Sequence, residues 1–376
     1  MTKDDFKEIL NVSIKFAAKE IGQGALEADL HPSLNWTKSL WTKSMEVGFP
    51  GLLIPEEYRG FGQSELCSAL VLDTLASECS GVASVFVHHF AACKCIMAGN
   101  KKQQETWLPL LANSNTAGPM IGTVIFLPYL DDNRLTLSEK NGKLMLSGTS
   151  QMTGNAFLAR YFCAFLDEGT EGKNITCILI DKNTAGVRVG ESAGFTGLKH
   201  NPFAPIIFEE MEIDPEWIIG ERGKGEEILK SAENLFHCLI AASAMGAARS
   251  AYRKARQYAQ ERYQYGTMII HHQEIRRMLG NMLMKLSVGT SGYVRALTHE
   301  ETDLPYSSPD PGFAKIYCTD SAVEIVIDAI QVHGGYGYMH DYGVEKIMRD
   351  VKVLNLLGGS SPRLHILAIG EKEESK

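Results

Sequence analysis

Three textures follow one another along the chain. From residue 3 to about residue 112, apolar residues recur at helical spacing. In "FKEILNVSIKFAAKEI", Phe6, Ile9, Leu10, Val12, Ile14 and Phe16 gather largely on one side of a helix. "WTKSLWTKSMEVG" predicts a second helix that stops at Gly48. "SELCSALVLDTLASEC" and "ASVFVHHFAACKCIMAG" read as buried helices rich in small residues, and "KKQQETWLPLLA" as an amphipathic one. Near Pro119 the pattern shortens. "KLMLSG", "ARYFCAFL", "ITCILID", "GVRVG" and "PIIFEEMEI" are β-rich runs punctuated by Gly, Asn and Asp, which predicts an antiparallel sheet or barrel to about Gly225. Helical spacing then returns. One long segment carries small residues from Ala241 to Ala248, and "IRRMLGNMLMKL" places Ile275, Met278, Leu279, Met282, Leu283 and Leu286 at helical intervals. "SSPDPG" makes a turn before a further helix, and the tail "EKEESK" reads as solvated.

Helices, strands and helices in separate blocks predict an α+β fold rather than βαβ alternation. The expected domains are residues 1–118 (helical), 119–226 (β) and 227–376 (a helical bundle). A chain of 376 residues is long enough for such a division. The net charge of −8 argues against a nucleic-acid binder that works through a basic surface. Eight cysteines lie scattered without CxxC spacing, so reduced, mostly buried thiols in a cytoplasmic protein are expected, with no metal site. "MTKDDFKEIL" lacks the layout of a secretory signal, and no membrane span is expected.

Two glycine loops invite a phosphate reading. "GERGKGEEILK" follows an apolar strand and opens a helix, but it lacks the GxxxxGK[ST] order, so a plain turn is the simpler reading. "HGGYGY" follows a long helix, where Gly334 and Gly335 permit close backbone approach to a ligand or a sharp reversal.

Five segments in order resemble the acyl-CoA dehydrogenases, flavoproteins that oxidise acyl-CoA thioesters. They are "GFPGLLIPEEYRGFG", "NGKLMLSGTSQMTGN", "GLKHNPFAPIIFEEMEID" with "IIGERGKG", "YAQERYQYGTMIIHHQ" and "QVHGGYGYMHDYGVEKIMRDVKV". The resemblance implies a helical N-terminal domain, a middle β-barrel and a C-terminal four-helix bundle. It also implies FAD held between subunits of a homodimer or homotetramer, an acyl-CoA or enoyl-CoA substrate and an electron-transfer flavoprotein as redox partner. Arg262, Tyr265 and Gln273 fall on the family's Arg-x-x-(aromatic)-Gly…Gln pattern, whose arginine and glutamine serve the diphosphate and adenosine side. Gln331, Gly334 and Gly335 fall on the segment that binds across the dimer. Ser360 matches a flavin-contacting hydroxyl, and Thr153 or its adjacent backbone matches the strand that hydrogen-bonds the isoalloxazine ring.

The resemblance breaks at the base. The family removes the proton α to the thioester with a glutamate, placed in one of two positions. Here those positions hold Gly358 and Phe236, and neither takes a proton. His237 and His89 are the substitute candidates; His88 adjoins His89, so only one of that pair can point inward. Asp131 and Asp132 sit in the loop that departs from the family's flavin-side run. "ASVFVHHFAA" is apolar apart from its histidines and offers no arginine near Ser84, which favours an uncharged acyl tail, alicyclic or aromatic. A non-catalytic subunit that completes a partner's FAD site in a hetero-oligomer is the alternative.

Overall fold

The computed structural model describes residues 3–112, 120–127, 135–169, 174–298 and 310–366. The first block comprises α1 (Lys3–Phe16), α2 (Ala25–Leu30), α3 (Leu34–Glu46), α4 (Glu65–Ala76), α5 (Ser80–Met97) and α6 (Lys101–Ala112). Serines start two of them: the Ser33 and Ser64 hydroxyls accept from the backbone N–H of Asn35 and Cys67, satisfying donors that a helix start leaves free. α5 is long and apolar enough to cross a bilayer by length and composition, but 89% of it is buried inside the protein. It is the central core helix of the block, with Val85, Phe86, Phe90 and Ile96 all nearly inaccessible.

The second block holds β1 (Gly122–Ile125), β2 (Leu135–Lys140), β3 (Lys143–Thr149), β4 (Tyr161–Asp167), β5 (Ile175–Asp181), β6 (Val187–Val189), β7 (Ile206–Ile213) and β8 (Ile218–Ile219). They form two four-stranded sheets, β1-β4-β5-β8 and β2-β3-β7-β6. The expected β block is present, and its strand pairing adds two details. Among the described residues the sheets share no strand, and β1 runs parallel to β4, Gly122 opposite Tyr161. Between β1 and β4 in the chain lie β2 and β3, which belong to the other sheet. Ile125, Leu146, Phe162, Ile178 and Phe208 fill the space between the sheets. The other face of β4 and β5, with Cys163, Phe165, Cys177 and Leu179, joins the helical core. Strands buried on both faces explain why "YFCAFL" and "ITCILI" show no alternation.

The third block begins with α7 (Glu226–Glu261), then a hairpin of β9 (Tyr263–Gln264) and β10 (Thr267–Met268), then α8 (Gln273–Thr298), α9 (Pro311–His333) and α10 (Val344–Leu356). The small-residue stripe of α7 lets it approach α4 closely. A Cβ at Gly246 would lie 2.0 Å from the Asp73 carbonyl oxygen, so only glycine fits there. All eight cysteines are free and buried, as expected.

Candidate active site and cofactor cleft

Two concavities carry the sequence's candidate residues. The first, a cleft of about 490 Å³, lies at the end of α7 and α9 and is lined by Tyr258, Arg262, Gln331, Gly334, Gly335 and Tyr336 among others. Arg262 caps α7, and its exposed guanidinium lies 5.9 Å from the Tyr336 ring centroid. Among the described residues it forms no ion pair, which leaves its fork of donors open. α9 ends at Gly334, whose φ of +58° and ψ of −137° only glycine adopts readily. A Cβ added at Gly334 or Gly335 would meet nothing within 4 Å, so the backbone there faces open space. An unpaired guanidinium beside bare glycine backbone is a donor set that fits a phosphate-bearing anion.

Tyr265 and Gln273 sit beside this cleft but outside its lining. Tyr265 turns the β9–β10 hairpin at φ +50° and is 95% exposed; Gln273 is exposed as the first residue of α8.

The second concavity, about 330 Å³, lies where the three blocks meet. Its walls include His88 of α5, Phe126 beyond β1, Thr153 and Gly154 beyond β3, Phe203, Phe236 of α7 and Gly358 beyond α10. The loop carrying Thr153 is fastened from both sides. Asn155 Nδ2 donates to the Val85 carbonyl at 2.8 Å, and Asn155 N–H donates to Asn201 Oδ1 at 2.6 Å. Thr153 N–H donates to the Ala204 carbonyl at 3.0 Å, and its hydroxyl donates to the Gln151 carbonyl, also at 3.0 Å.

The two histidines proposed as bases take other roles. His89 Nε2 lies 3.1 Å from the Pro50 carbonyl, and Nδ1 accepts from Gly122 N–H at 3.1 Å. A carbonyl only accepts, so the ring is neutral and protonated at Nε2. Both nitrogens are committed between the helical and β blocks, and His89 lies outside the cavity lining. His237 Nε2 lies 2.7 Å from the Gly358 carbonyl, which requires a proton on Nε2, and burial favours the neutral form of the ring. It stands behind the Gly358 turn rather than in the cavity lining, and Lys315 holds the same turn by donating to the Gly359 and Asn355 carbonyls at 2.6 and 2.8 Å. His237 therefore positions the turn. A Cβ at Gly358 would meet His237 Cδ2 at 2.8 Å, with φ at +68°, so His237 occupies part of the space a longer residue there would need. Ser360 is exposed and outside both linings. Asp131 and Asp132 lie outside the described residues.

Burial pushes the imidazoles of His88, His89 and His237 down to about 3, 4 and 4; carbonyl hydrogen bonds from Pro50 and Gly358 offset part of the effect at the latter two. All three fall below the ordinary value near 6.5. The unfolded chain therefore binds more protons than the folded one between pH 6.5 and about 4. This contribution is complete above pH 6.5 and is lost as pH falls through that window, at about 1.4 kcal/mol per pH unit for each ring. The urea midpoint is expected to drop steadily from pH 6.5 to 4.5, and removing any one ring is expected to reduce the slope by one proton's share. A midpoint independent of pH across that range contradicts the assignment.

Comparison with known proteins agrees with this architecture. Residues 3–115 match the N-terminal domain of the acyl-CoA dehydrogenases and residues 223–372 their C-terminal domain. The chain is 29% identical to an acyl-CoA dehydrogenase of Bacillus subtilis over 360 residues, 92% of each protein. It is 27% identical to an acryloyl-CoA reductase (NADH) of Anaerotignum propionicum, across 95% of this chain and 91% of that one. A butyryl-CoA dehydrogenase of Megasphaera elsdenii has the same fold, with a TM-score of 0.89 at 22% identity over 99% and 98% of the two chains. The chain belongs to the acyl-CoA dehydrogenase family of oxidoreductases, and its cofactor is FAD.

Proposed function

We infer that this protein acts on a CoA thioester and works best in the direction of enoyl-CoA reduction. The observation that carries this reading is the cavity beside Gly358. Its described lining offers Gly358 and Phe236 at the family's base positions and no carboxylate at all. Oxidation of an acyl-CoA requires a base to remove a weakly acidic α proton. Reduction places a hydride on the β carbon and a proton on the α carbon. An α-carbon anion is basic enough to take that proton from water, leaving hydroxide to the solvent, so the reduction completes without a protein carboxylate wherever the redox partner keeps the flavin reduced. FAD, when bound, supplies the hydride donor or acceptor.

The chain's own residues hold and orient. Arg262, Gln331, Gly334 and Gly335, with Gln273 and Tyr265 nearby, would take the phosphate-bearing part of FAD. Thr153 and its loop would take the ring end, beside the turn fixed by His237. Ser360 stays a proposed contact of the same ring. The cleft and the cavity are separate in one chain, which supports assembly as a homodimer or homotetramer with FAD shared between protomers. An electron-transfer flavoprotein as redox partner and a cytoplasmic location belong to the same reading. The three expected domain ranges, 1–118, 119–226 and 227–376, remain its organising frame.

A second reading rests on one contrast. The Arg262 cleft keeps a donor set that fits a phosphate, whereas the cavity has no carboxylate among its described lining residues. A non-catalytic subunit of a hetero-oligomer, completing a partner's FAD site, would show that contrast. Both readings meet one experiment. FAD-loaded protein, purified alone and reduced anaerobically, is mixed with crotonyl-CoA and cinnamoyl-CoA. Recovery of the oxidised flavin spectrum faster than in thioester-free protein is expected. Bleaching of the oxidised protein by the saturated thioesters is expected to be far slower. Inertness toward both classes favours the subunit reading, and fast bleaching by saturated thioesters overturns the preferred direction.

A further inference from the structure

One side chain in the cavity beside Gly358 has polar atoms left unsatisfied. His88 is 4% exposed, and neither ring nitrogen has a hydrogen-bond partner among the described residues. Its neighbour His89 uses both of its nitrogens, so nothing about this helix prevents satisfaction. The cavity's other polar side chains are engaged: Gln151 Nε2 reaches the Leu127 carbonyl at 3.4 Å, and the Thr153 hydroxyl donates to the Gln151 carbonyl. A buried polar group without a partner carries a desolvation penalty that ordinary packing does not return.

The surroundings of His88 are apolar and aromatic. Phe203 and Phe236 meet its ring edge-on, with centroids 5.6 and 5.0 Å away, and Val124 and Phe126 line the same cavity. Gly154 makes room for the ring, because a Cβ there would lie 2.2 Å from His88 Nε2. Burial holds the imidazole neutral, with one N–H donor and one bare nitrogen acceptor. A neutral ring so resistant to protonation suits recognition rather than proton transfer. A hydroxyl is the ligand group that both donates and accepts.

We propose that His88 determines acyl-group specificity by hydrogen-bonding a hydroxyl carried on an otherwise apolar, ring-sized acyl group. This rests on the thioester reading above. A site whose buried polar group expects a partner rejects the analogue that lacks one.

The test uses FAD-loaded wild type and the His88→Phe, His88→Leu and His88→Gln variants. Each is titrated with 3-phenylpropionyl-CoA and with its 2-, 3- and 4-hydroxyphenyl counterparts, and dissociation constants are read from the shift of the visible flavin band. Wild type is expected to bind at least one hydroxylated thioester about tenfold more tightly than the parent, the worth of one buried hydrogen bond. His88→Phe and His88→Leu are expected to lose that preference, and His88→Gln to keep part of it. Two apolar variants are included so that a packing failure in one does not decide the result, and flavin content reports folding of each. Absence of any hydroxyl preference in wild type overturns the assignment without reference to a variant. So does a preference that survives in His88→Phe or His88→Leu. Binding of all four thioesters without discrimination leaves the thioester reading standing and removes only His88. Failure of all four to bind removes both.

Discussion

The Arg262→Ala protein is expected to purify without yellow colour, its affinity for FAD reduced about tenfold to a hundredfold or more. Arg262 stands at the end of α7 with its guanidinium in the open cleft and no ion pair among the described residues. No carboxylate among the described residues competes for its donors. A charge-assisted hydrogen bond to an anion contributes about 1.5–3 kcal/mol, which corresponds to that range of affinity. Arg262→Lys is expected to recover only part of the loss, because an ammonium keeps the charge and lacks the planar fork. Flavin absorbance relative to protein absorbance after purification, then titration of the stripped protein with FAD, measures the effect. Arg262 is exposed, so the urea midpoint of the FAD-free variant should equal that of FAD-free wild type. Stoichiometric FAD in Arg262→Ala with unchanged affinity would show that the phosphate-bearing end is held elsewhere.

Lys346→Met is expected to destabilise the fold by about 3–5 kcal/mol. Lys346 in α10 donates to Asp350 Oδ2 at 2.7 Å, and their side chains are 6% and 2% exposed. Asp350 also accepts from Leu198 N–H at 2.7 Å, which ties the β block to α10. One turn along, Arg349 reaches Asp29 at 2.6 Å and the Thr196 carbonyl at 2.7 Å, so this helix joins all three blocks. Opposite charge and hydrogen bonding hold the Lys346 ammonium well above its ordinary range, against the opposing effect of burial. Methionine fills most of the volume but strands the Asp350 carboxylate in a dry site, and the unpaired charge dominates the cost. The paired change Lys346→Met with Asp350→Asn removes both charges while an amide oxygen can still accept from Leu198. It is expected to recover most of the loss. Urea midpoints of the three proteins measure this; a single-variant shift under about 1 kcal/mol would mean that water reaches the pair.

The helical pattern was legible because each helix carries its own period. The apolar stripe of α8 and the Asp310–Pro311 start of α9 are local signals with local causes. Arg262, Gly334 and Gly335, which line one cleft, were singled out through the resemblance, because short motifs carry that guanidinium and those bare backbone positions. The strands gave less. β4 and β5 are buried on both faces, one toward the second sheet and the other toward the helices, so no alternation marks their neighbours or the parallel pairing with β1.

The base positions divide in the same way. That Gly358 and Phe236 cannot accept a proton follows from their composition alone. Which histidine meets the cavity does not. Successive residues on a helix point about 100° apart, so His88 and His89 had to face different surroundings, yet the letters do not say which. The β block decides it, by setting the Gly122 amide against His89 and Gly154 against His88. The sequence by itself determined the order of the blocks, the family resemblance and the presence of Phe236 and Gly358 where a carboxylate was sought, since these depend on residue type and near neighbours. Only the tertiary structure decided the sheet pairing, the commitment of His89 and His237 to carbonyl oxygens and the unsatisfied state of His88, because each depends on groups brought together from distant parts of the chain.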